Sequence, residues 1–262
     1  MRLLQQLKTI PLFVNYFLTV VDQHSIQAPF AFQVYHALKD CFKTSPGIED
    51  IERARHQLIK DDAIISGDDF GAGSRIATPG KLSSVARFGI SSKNDCIMLH
   101  TLATVLKAEI CIELGTSLGI GTAYLAKAQY MKAVYSFEGN TFLYEKSNQL
   151  LKSLNVQNTH ISYGNIDNEL SPVLEKLDQI DLAIIDANHK QEALLAYYQW
   201  LAPKISIKGA MVIDDIRWSS DMYAGWKKIL RKPEVTLSME FLNRGLLFFE
   251  KGLQKQHYVL TI

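Results

Sequence analysis

Ile112-Glu113-Leu114-Gly115-Thr116-Ser117-Leu118-Gly119-Ile120-Gly121-Thr122-Ala123-Tyr124-Leu125-Ala126 runs from an apolar stretch into an acid, crosses three glycines and continues with apolar residues at helical spacing. The pattern predicts a buried strand ending in an acid, a glycine turn, and a helix opening near Gly119. Glycine suits a turn where the backbone must bend sharply and come close to a ligand. A helix N-terminus then offers N–H groups to an anionic or polar ligand. The next apolar run, Val134-Tyr135-Ser136-Phe137, ends in Glu138, 25 residues after Glu113. An acid at that place can accept hydrogen bonds from ribose hydroxyls. A lone glycine loop reads more simply as a strand-to-helix turn. Here its position at the head of a series, with the second acid in place, favours a ligand.

The series extends outward in both directions. Short β-rich runs at 109–114, 133–137, 159–162, 181–185 and 210–213 alternate with helical spacing, as in βαβ units with a parallel sheet. Residues 235–241 and 246–249 flank Asn243-Arg244-Gly245 and read as an antiparallel hairpin, and 257–262 as a short final strand. Upstream, 30–42, 51–59, 81–87 and 95–107 carry helical spacing, with Thr44-Ser45-Pro46-Gly47 as a breaker and Ser45 or Pro46 opening the second helix. The expected fold is α/β: a Rossmann-like, mostly parallel sheet with helices on both faces, a C-terminal antiparallel hairpin and a helical N-terminal extension. The division expected is 1–91 as extension and substrate-side lid, and 92–262 as catalytic domain.

Composition narrows the class. Lys and Arg number 28 against 27 Asp and Glu, which gives no electrostatic footprint for nucleic acid. Cys41, Cys96 and Cys111 are widely spaced and fit packing residues of a reduced, cytoplasmic protein. The apolar run at 12–21 is short, is interrupted by Asn15 and Thr19, and lacks a cleavage site, so an amphipathic helix is expected rather than a membrane span or signal peptide.

The spacing Gly115, Gly119, Gly121 is not the dinucleotide G-x-G-x-x-G, whose third glycine accommodates a pyrophosphate. S-adenosylmethionine has no pyrophosphate, and the terminal hairpin also disfavours an all-parallel dehydrogenase sheet. At this point a resemblance becomes specific. Glu113-Leu114-Gly115-Thr116-Ser117-Leu118-Gly119 resembles the first motif of class I methyltransferases, in particular the catechol and caffeoyl-CoA O-methyltransferase branch. Glu138 matches the ribose-binding acid. Tyr163-Gly164-Asn165-Ile166 resembles the adenine-contacting turn, with Asn165 in place of an acid. Ile184-Ile185-Asp186-Ala187-Asn188-His189 and Val212-Ile213-Asp214-Asp215 resemble two further segments of the branch, over a match from about 92 to about 250. Residues 24–32 and 69–75 look instead like the N-terminal part of uncharacterised bacterial relatives.

The resemblance implies an S-adenosylmethionine site at Glu113, Gly115, Thr116, Ser117, Gly119, Gly121, Glu138, Gly139, Asn165, Ile166 and Asp186. It further implies magnesium held by Asp186, Asp214 and Asp215, with Asp where the branch has Asn, and His189 where it has a basic Lys. Without a metal, Asp186 reads as a strand-end acid touching the cofactor, Asp214-Asp215 as a helix cap, and His189 as a loop histidine. Asp69-Phe70-Gly71-Ala72-Gly73-Ser74 imitates the cofactor loop, but no buried β-run precedes it, so a flap or a linker turn is expected there. Trp218 and Tyr223 read as core or pocket aromatics. The expected activity is O-methyl transfer to a small-molecule hydroxyl, with Asp186 and His189 catalytic. A nucleotide-dependent oxidoreductase and a non-catalytic cofactor-binding module are the alternatives. The sequence leaves the oligomeric state open, a homodimer included.

Overall fold

The computed structural model describes residues 2–66, 80–250 and 254–262. The Asp69–Ser74 imitation loop lies outside the described residues. The chain divides into two compact units, 37–178 and 1–36 with 179–262. The first 91 residues are therefore shared between both units.

In unit 37–178, β1 (Ile110–Leu114), β2 (Ala133–Glu138) and β3 (Thr159–Tyr163) pair in parallel in the order β3-β2-β1. Between them run α6 (Ile120–Ala126) and α7 (Thr141–Ser153), and α8 (Ile166–Leu174) follows β3. The unit also holds α3 (Glu49–Leu58), α4 (Leu82–Phe88) and α5 (Lys93–Val105). Each helix buries one face. Ile51 and Ala54 of α3, Cys96 and Ile97 of α5, and Ile120, Ala123 and Tyr124 of α6 form one cluster with Leu150, Leu151 and Leu154. Each large aliphatic side chain buried in this way contributes about 1.5–3 kcal/mol. Helix α5 follows a capping box, with Ser92 and Asp95 exchanging side-chain and backbone hydrogen bonds, and begins two residues before the predicted start. Neither Ser45 nor Pro46 opens α3. Gly47 adopts φ +85°, and the Ile48 N–H donates to the Tyr124 hydroxyl at 3.1 Å, so a side chain from α6 takes the capping role.

In the other unit, β4 (Ile180–Ile185), β5 (Ile205–Ile213), β6 (Leu237–Glu240), β7 (Gly245–Phe248) and β8 (Gln256–Val259) follow the order β4-β5-β7-β6-β8. The β4–β5 and β6–β8 pairs are parallel, and β7 is antiparallel to both β5 and β6. The predicted α/β fold with a C-terminal antiparallel hairpin is thus the observed one. Strand β5 begins five residues before its predicted start, because Ile207 and Lys208 are exposed and blur the apolar pattern. Helices α9 (Gln191–Leu201) and α10 (Ser220–Leu230) pack on each other, and α1 (Arg2–Thr19) joins the unit through the Tyr16 hydroxyl, which donates to the Leu260 carbonyl at 2.7 Å. Helix α2 (Pro29–Thr44) buries Ala31, Val34, Tyr35, Leu38 and Cys41, the spacing of one helical face. No helix among the described residues is long and apolar enough to cross a membrane, and the three cysteines are free and buried.

Candidate functional site

The glycine turn after β1 has the backbone its sequence calls for. Gly115 lies at φ +107°, Ser117 at +49° and Gly119 at +77°, and Gly119 caps α6. A side chain at Gly119 would press on Ser147 at 3.1 Å, and one at Gly121 on a Glu113 carboxylate oxygen at 3.3 Å. Left-handed backbone together with this crowding explains why glycine stands at these places. Leu118 is buried against Ile65, Leu82, Val85 and Ala86, and the Ser117 hydroxyl donates to the Gly89 carbonyl at 3.3 Å. The α4 segment therefore holds the turn from outside.

Two buried acids flank the turn. Glu113 accepts from the hydroxyls of Thr122 at 2.5 Å and Ser136 at 2.6 Å. Burial pushes its carboxyl up to about 7, against the pull of these two hydroxyls and with a further push from Glu138. Glu138 ends β2 and spreads its carboxylate over two backbone donors, Ser117 N–H at 2.7 Å and Asn140 N–H at 2.8 Å. Thr116 is buried, with its hydroxyl 2.6 Å from that of Ser136. Gly139 follows Glu138, and Asn140, which sequence reasoning missed, caps α7 through its side chain. Gly164 N–H donates to the Glu138 carbonyl at 3.0 Å, which places the turn after β3 beside the end of β2. There Asn165 caps α8 by accepting from Asp167 N–H at 3.0 Å, and Ile166 is the first helical residue. The expected cofactor residues of this unit thus lie at the carboxyl ends of its three strands, where ligands bind in open parallel sheets.

In the other unit, Asp186 follows β4, and Asp214 and Asp215 follow β5. Ile185 and Ile213 are register partners, and Asp214 N–H donates to the Ile185 carbonyl at 2.9 Å, so the two strand ends lie side by side. His189 comes back to this end on a turn with Asn188 at φ +48°, and its ring packs on Trp218 with centroids 5.0 Å apart. Asp214 is engaged on both oxygens. One accepts from Asp215 N–H at 2.9 Å, and the other is paired with the guanidinium of Arg244. The magnesium site expected at Asp186, Asp214 and Asp215 is not supported. Among the described residues no three His, Cys, Asp or Glu side chains are grouped as a metal ion requires, and Asp214 already has its cation. The helix-cap reading of Asp214-Asp215 fails too, because Ser219 caps α10 by accepting from Met222 N–H.

A second arginine lies beyond the acids. Arg217 is buried, paired with Glu240, and donates to the carbonyls of Phe241 at 2.9 Å and Leu242 at 2.7 Å. Its guanidinium also lies over the rings of Tyr16 and Tyr223. Glu240 further accepts from Trp226 Nε1 at 2.6 Å and from the Tyr223 hydroxyl at 3.3 Å, so Tyr223 belongs to a buried polar core. Burial holds His257, 3.5 Å from Glu240, below the usual imidazole range despite that acid's opposing pull.

Residues 112–216 match a family model described as a methyltransferase domain. No curated protein sequence matches the chain. Among solved structures, the chain is similar to the S-adenosylhomocysteine-bound methyltransferase PaMTH1 of Podospora anserina, at TM-score 0.63 and 13% identity, over 89% of this chain and 99% of that one. It is also similar to the O-methyltransferase of Bacillus cereus in complex with S-adenosylhomocysteine, at TM-score 0.52 and 18% identity, over 60% and 81%. A third likeness is to the O-methyltransferase TomG of Streptomyces achromogenes, involved in tomaymycin synthesis and bound to S-adenosylmethionine, at TM-score 0.51 and 17% identity, over 62% and 82%. The matched domain leaves the oxidoreductase alternative without support. The glycine turn with its two acids, the matched domain and the shared fold agree: residues 112–216 of the chain carry a methyltransferase domain, on the α/β fold these structures share.

Proposed function

We propose that this chain methylates a hydroxyl oxygen of a small molecule. The carrying observation is Glu138, whose carboxylate spans Ser117 N–H and Asn140 N–H beside a turn held in left-handed backbone. That donor set fits S-adenosylmethionine. A carboxylate at this place can accept charge-assisted hydrogen bonds from ribose hydroxyls. Gly115, Thr116, Ser117, Gly119 and Gly121, backed by Glu113, receive the methionine portion, while Gly139, Asn165 and Ile166 face the adenosine. S-adenosylmethionine supplies a methyl group already activated on a sulfonium, so the protein has to align the acceptor and remove its proton. In this reading Asp186 contacts the acceptor at the end of β4. His189 takes the hydroxyl proton, its ring orientation fixed by Trp218. Imidazole suits that task because it exchanges a proton near neutral pH. Part of the N-terminal extension, around α4, serves as the lid, supported by its contacts to Ser117 and Leu118. The balanced charge supports a small-molecule acceptor rather than nucleic acid, and the reduced cysteines support a cytoplasmic setting.

S-adenosylhomocysteine should raise the melting temperature, since a ligand that binds the folded state stabilises it by mass action. Incubation with methyl-labelled S-adenosylmethionine and a panel of phenols and alcohols should then label an oxygen. Folded protein showing no thermal shift at about 1 mM ligand would refute the cofactor site. Labelling confined to nitrogen or sulfur acceptors would refute oxygen transfer.

A further inference from the structure

We propose that Arg244 is the cation of this site: the charge on Asp214 is met by a guanidinium built into the chain, and the site takes no divalent ion. A hard divalent cation binds carboxylates that present oxygen lone pairs and unmet negative charge. On Asp214 the charge is met and each oxygen is already engaged. One oxygen is bound by Asp215 N–H and the other by the Arg244 guanidinium, and the paired side chains are only 14% and 9% exposed. A guanidinium does not deprotonate in a protein, so it cannot leave the pair by becoming neutral. A metal entering at Asp214 would strand that charge in a nearly enclosed place.

The chain delivers this arginine on a turn that is pinned from several sides. Arg244 closes the β6–β7 hairpin, where Phe241 N–H donates to its carbonyl at 2.8 Å. The preceding Asn243 carbonyl accepts from Ile216 N–H at 3.0 Å, which ties the hairpin to the loop that carries Asp214. Gly245 follows, so close to the Trp226 ring that a Cβ would lie 2.5 Å from it. The Asp214 carboxylate, at one of two adjacent strand ends, needs positive charge nearby, and Arg244 supplies it in fixed geometry. Arg244 is thus a positioning residue: it holds Asp214 in place and leaves proton removal to His189. This role rests on the methyl-transfer reading, whereas the occupation of the cation position rests on the structure alone.

The test needs no turnover, so its outcome is separate from that of the methyl-transfer reading, which S-adenosylhomocysteine binding decides. Manganese chloride is titrated into the full chain in the presence of S-adenosylhomocysteine, and free Mn²⁺ is read from its six-line paramagnetic resonance spectrum. The parent should leave the ion free up to ~1 mM, outside the affinity of built oxygen sites. Arg244→Met uncovers Asp214 and should bind Mn²⁺ at least ~10-fold more tightly, an effect that adding Asp214→Asn removes. Arg244→Gln, which keeps a donor to Asp214 without the charge, replaces the Met variant if that one does not fold. Saturable binding in the parent that is lost in Asp214→Asn would overturn the proposal. So would uncharged variants that bind no more tightly than the parent.

Discussion

The acids at the two sets of strand ends are satisfied in opposite ways. In unit 37–178, Glu113 accepts from two hydroxyls and Glu138 from two backbone N–H groups, and both are buried. In the other unit, Asp214 and Glu240 each hold a guanidinium. Burial among hydroxyls lifts the Glu113 carboxyl, whereas a carboxylate met by arginine is already balanced. The first arrangement is the one the proposed cofactor site uses. The second belongs to framework, even though its sequence resembles a metal-binding segment.

The largest expected effect comes from breaking the framework pair. Arg217→Met removes the partner of Glu240, whose side chain is 2% exposed, and should destabilise the fold by about 3–5 kcal/mol, the range for a buried charge left uncompensated. Urea denaturation measures the loss. S-adenosylhomocysteine affinity per folded molecule should hold at the parent value. If affinity falls while the denaturation midpoint stays put, Arg217 belongs to the site and the contrast collapses.

What was legible in the sequence follows the same division. The acid, the glycines and the helix after β1 are contiguous, and Glu138 comes at a spacing set by one βα unit, so local pattern was enough. Arg217 and Arg244 were not legible as partners, because Glu240 and Asp214 lie 23 and 30 residues away and are joined to them by the hairpin rather than by periodicity. The resemblance placed Asp214 correctly at a strand end and still misdirected its chemistry, since a carboxylate's charge partner lies in tertiary structure. Ser219, three residues before a backbone N–H it accepts from, was a readable cap signal that Asp214-Asp215 obscured. The capping of α3 by a tyrosine hydroxyl from α6 had no local signature at all.

A second effect sharpens the contrast through pH. Burial raises the Glu113 carboxyl from about 4.5 to about 7, so the folded state holds that proton more tightly than the unfolded chain. The stabilisation is complete below about 4.5 and is lost as pH rises through about 7. Glu113→Gln lacks this dependence. The stability of the parent minus that of the variant should therefore fall by about 3 kcal/mol across this window, since each pH unit between the two values is worth about 1.4 kcal/mol. Chemical denaturation of both proteins at several pH values reads the difference. A constant difference would mean that Glu113 titrates in the fold as it does in the unfolded chain, and its hydroxyl partners would then have to offset burial.

The smallest expected effect in free energy is the most direct test of the cofactor side. Glu138→Ala removes a charged acceptor for ribose hydroxyls and should weaken S-adenosylhomocysteine binding by about 1.5–3 kcal/mol, the range for hydrogen bonds to a charged group. It also frees Ser117 N–H and Asn140 N–H, so part of the loss could come from a loosened turn. Glu138→Gln separates the two contributions: its amide oxygen still accepts from a backbone N–H, while the charge is gone. If the charge is what the ribose uses, both variants lose affinity by calorimetry, and the Gln variant keeps more of the parent's thermal stability. Asp69→Ala, in the segment that imitates the cofactor loop, is the matched control and should bind as the parent does. Affinity within about twofold of the parent in Glu138→Ala would remove Glu138 from the ribose site. Its position over the turn would then be structural, like that of Glu240 over Trp226, and the two regions would differ only in which donors they employ.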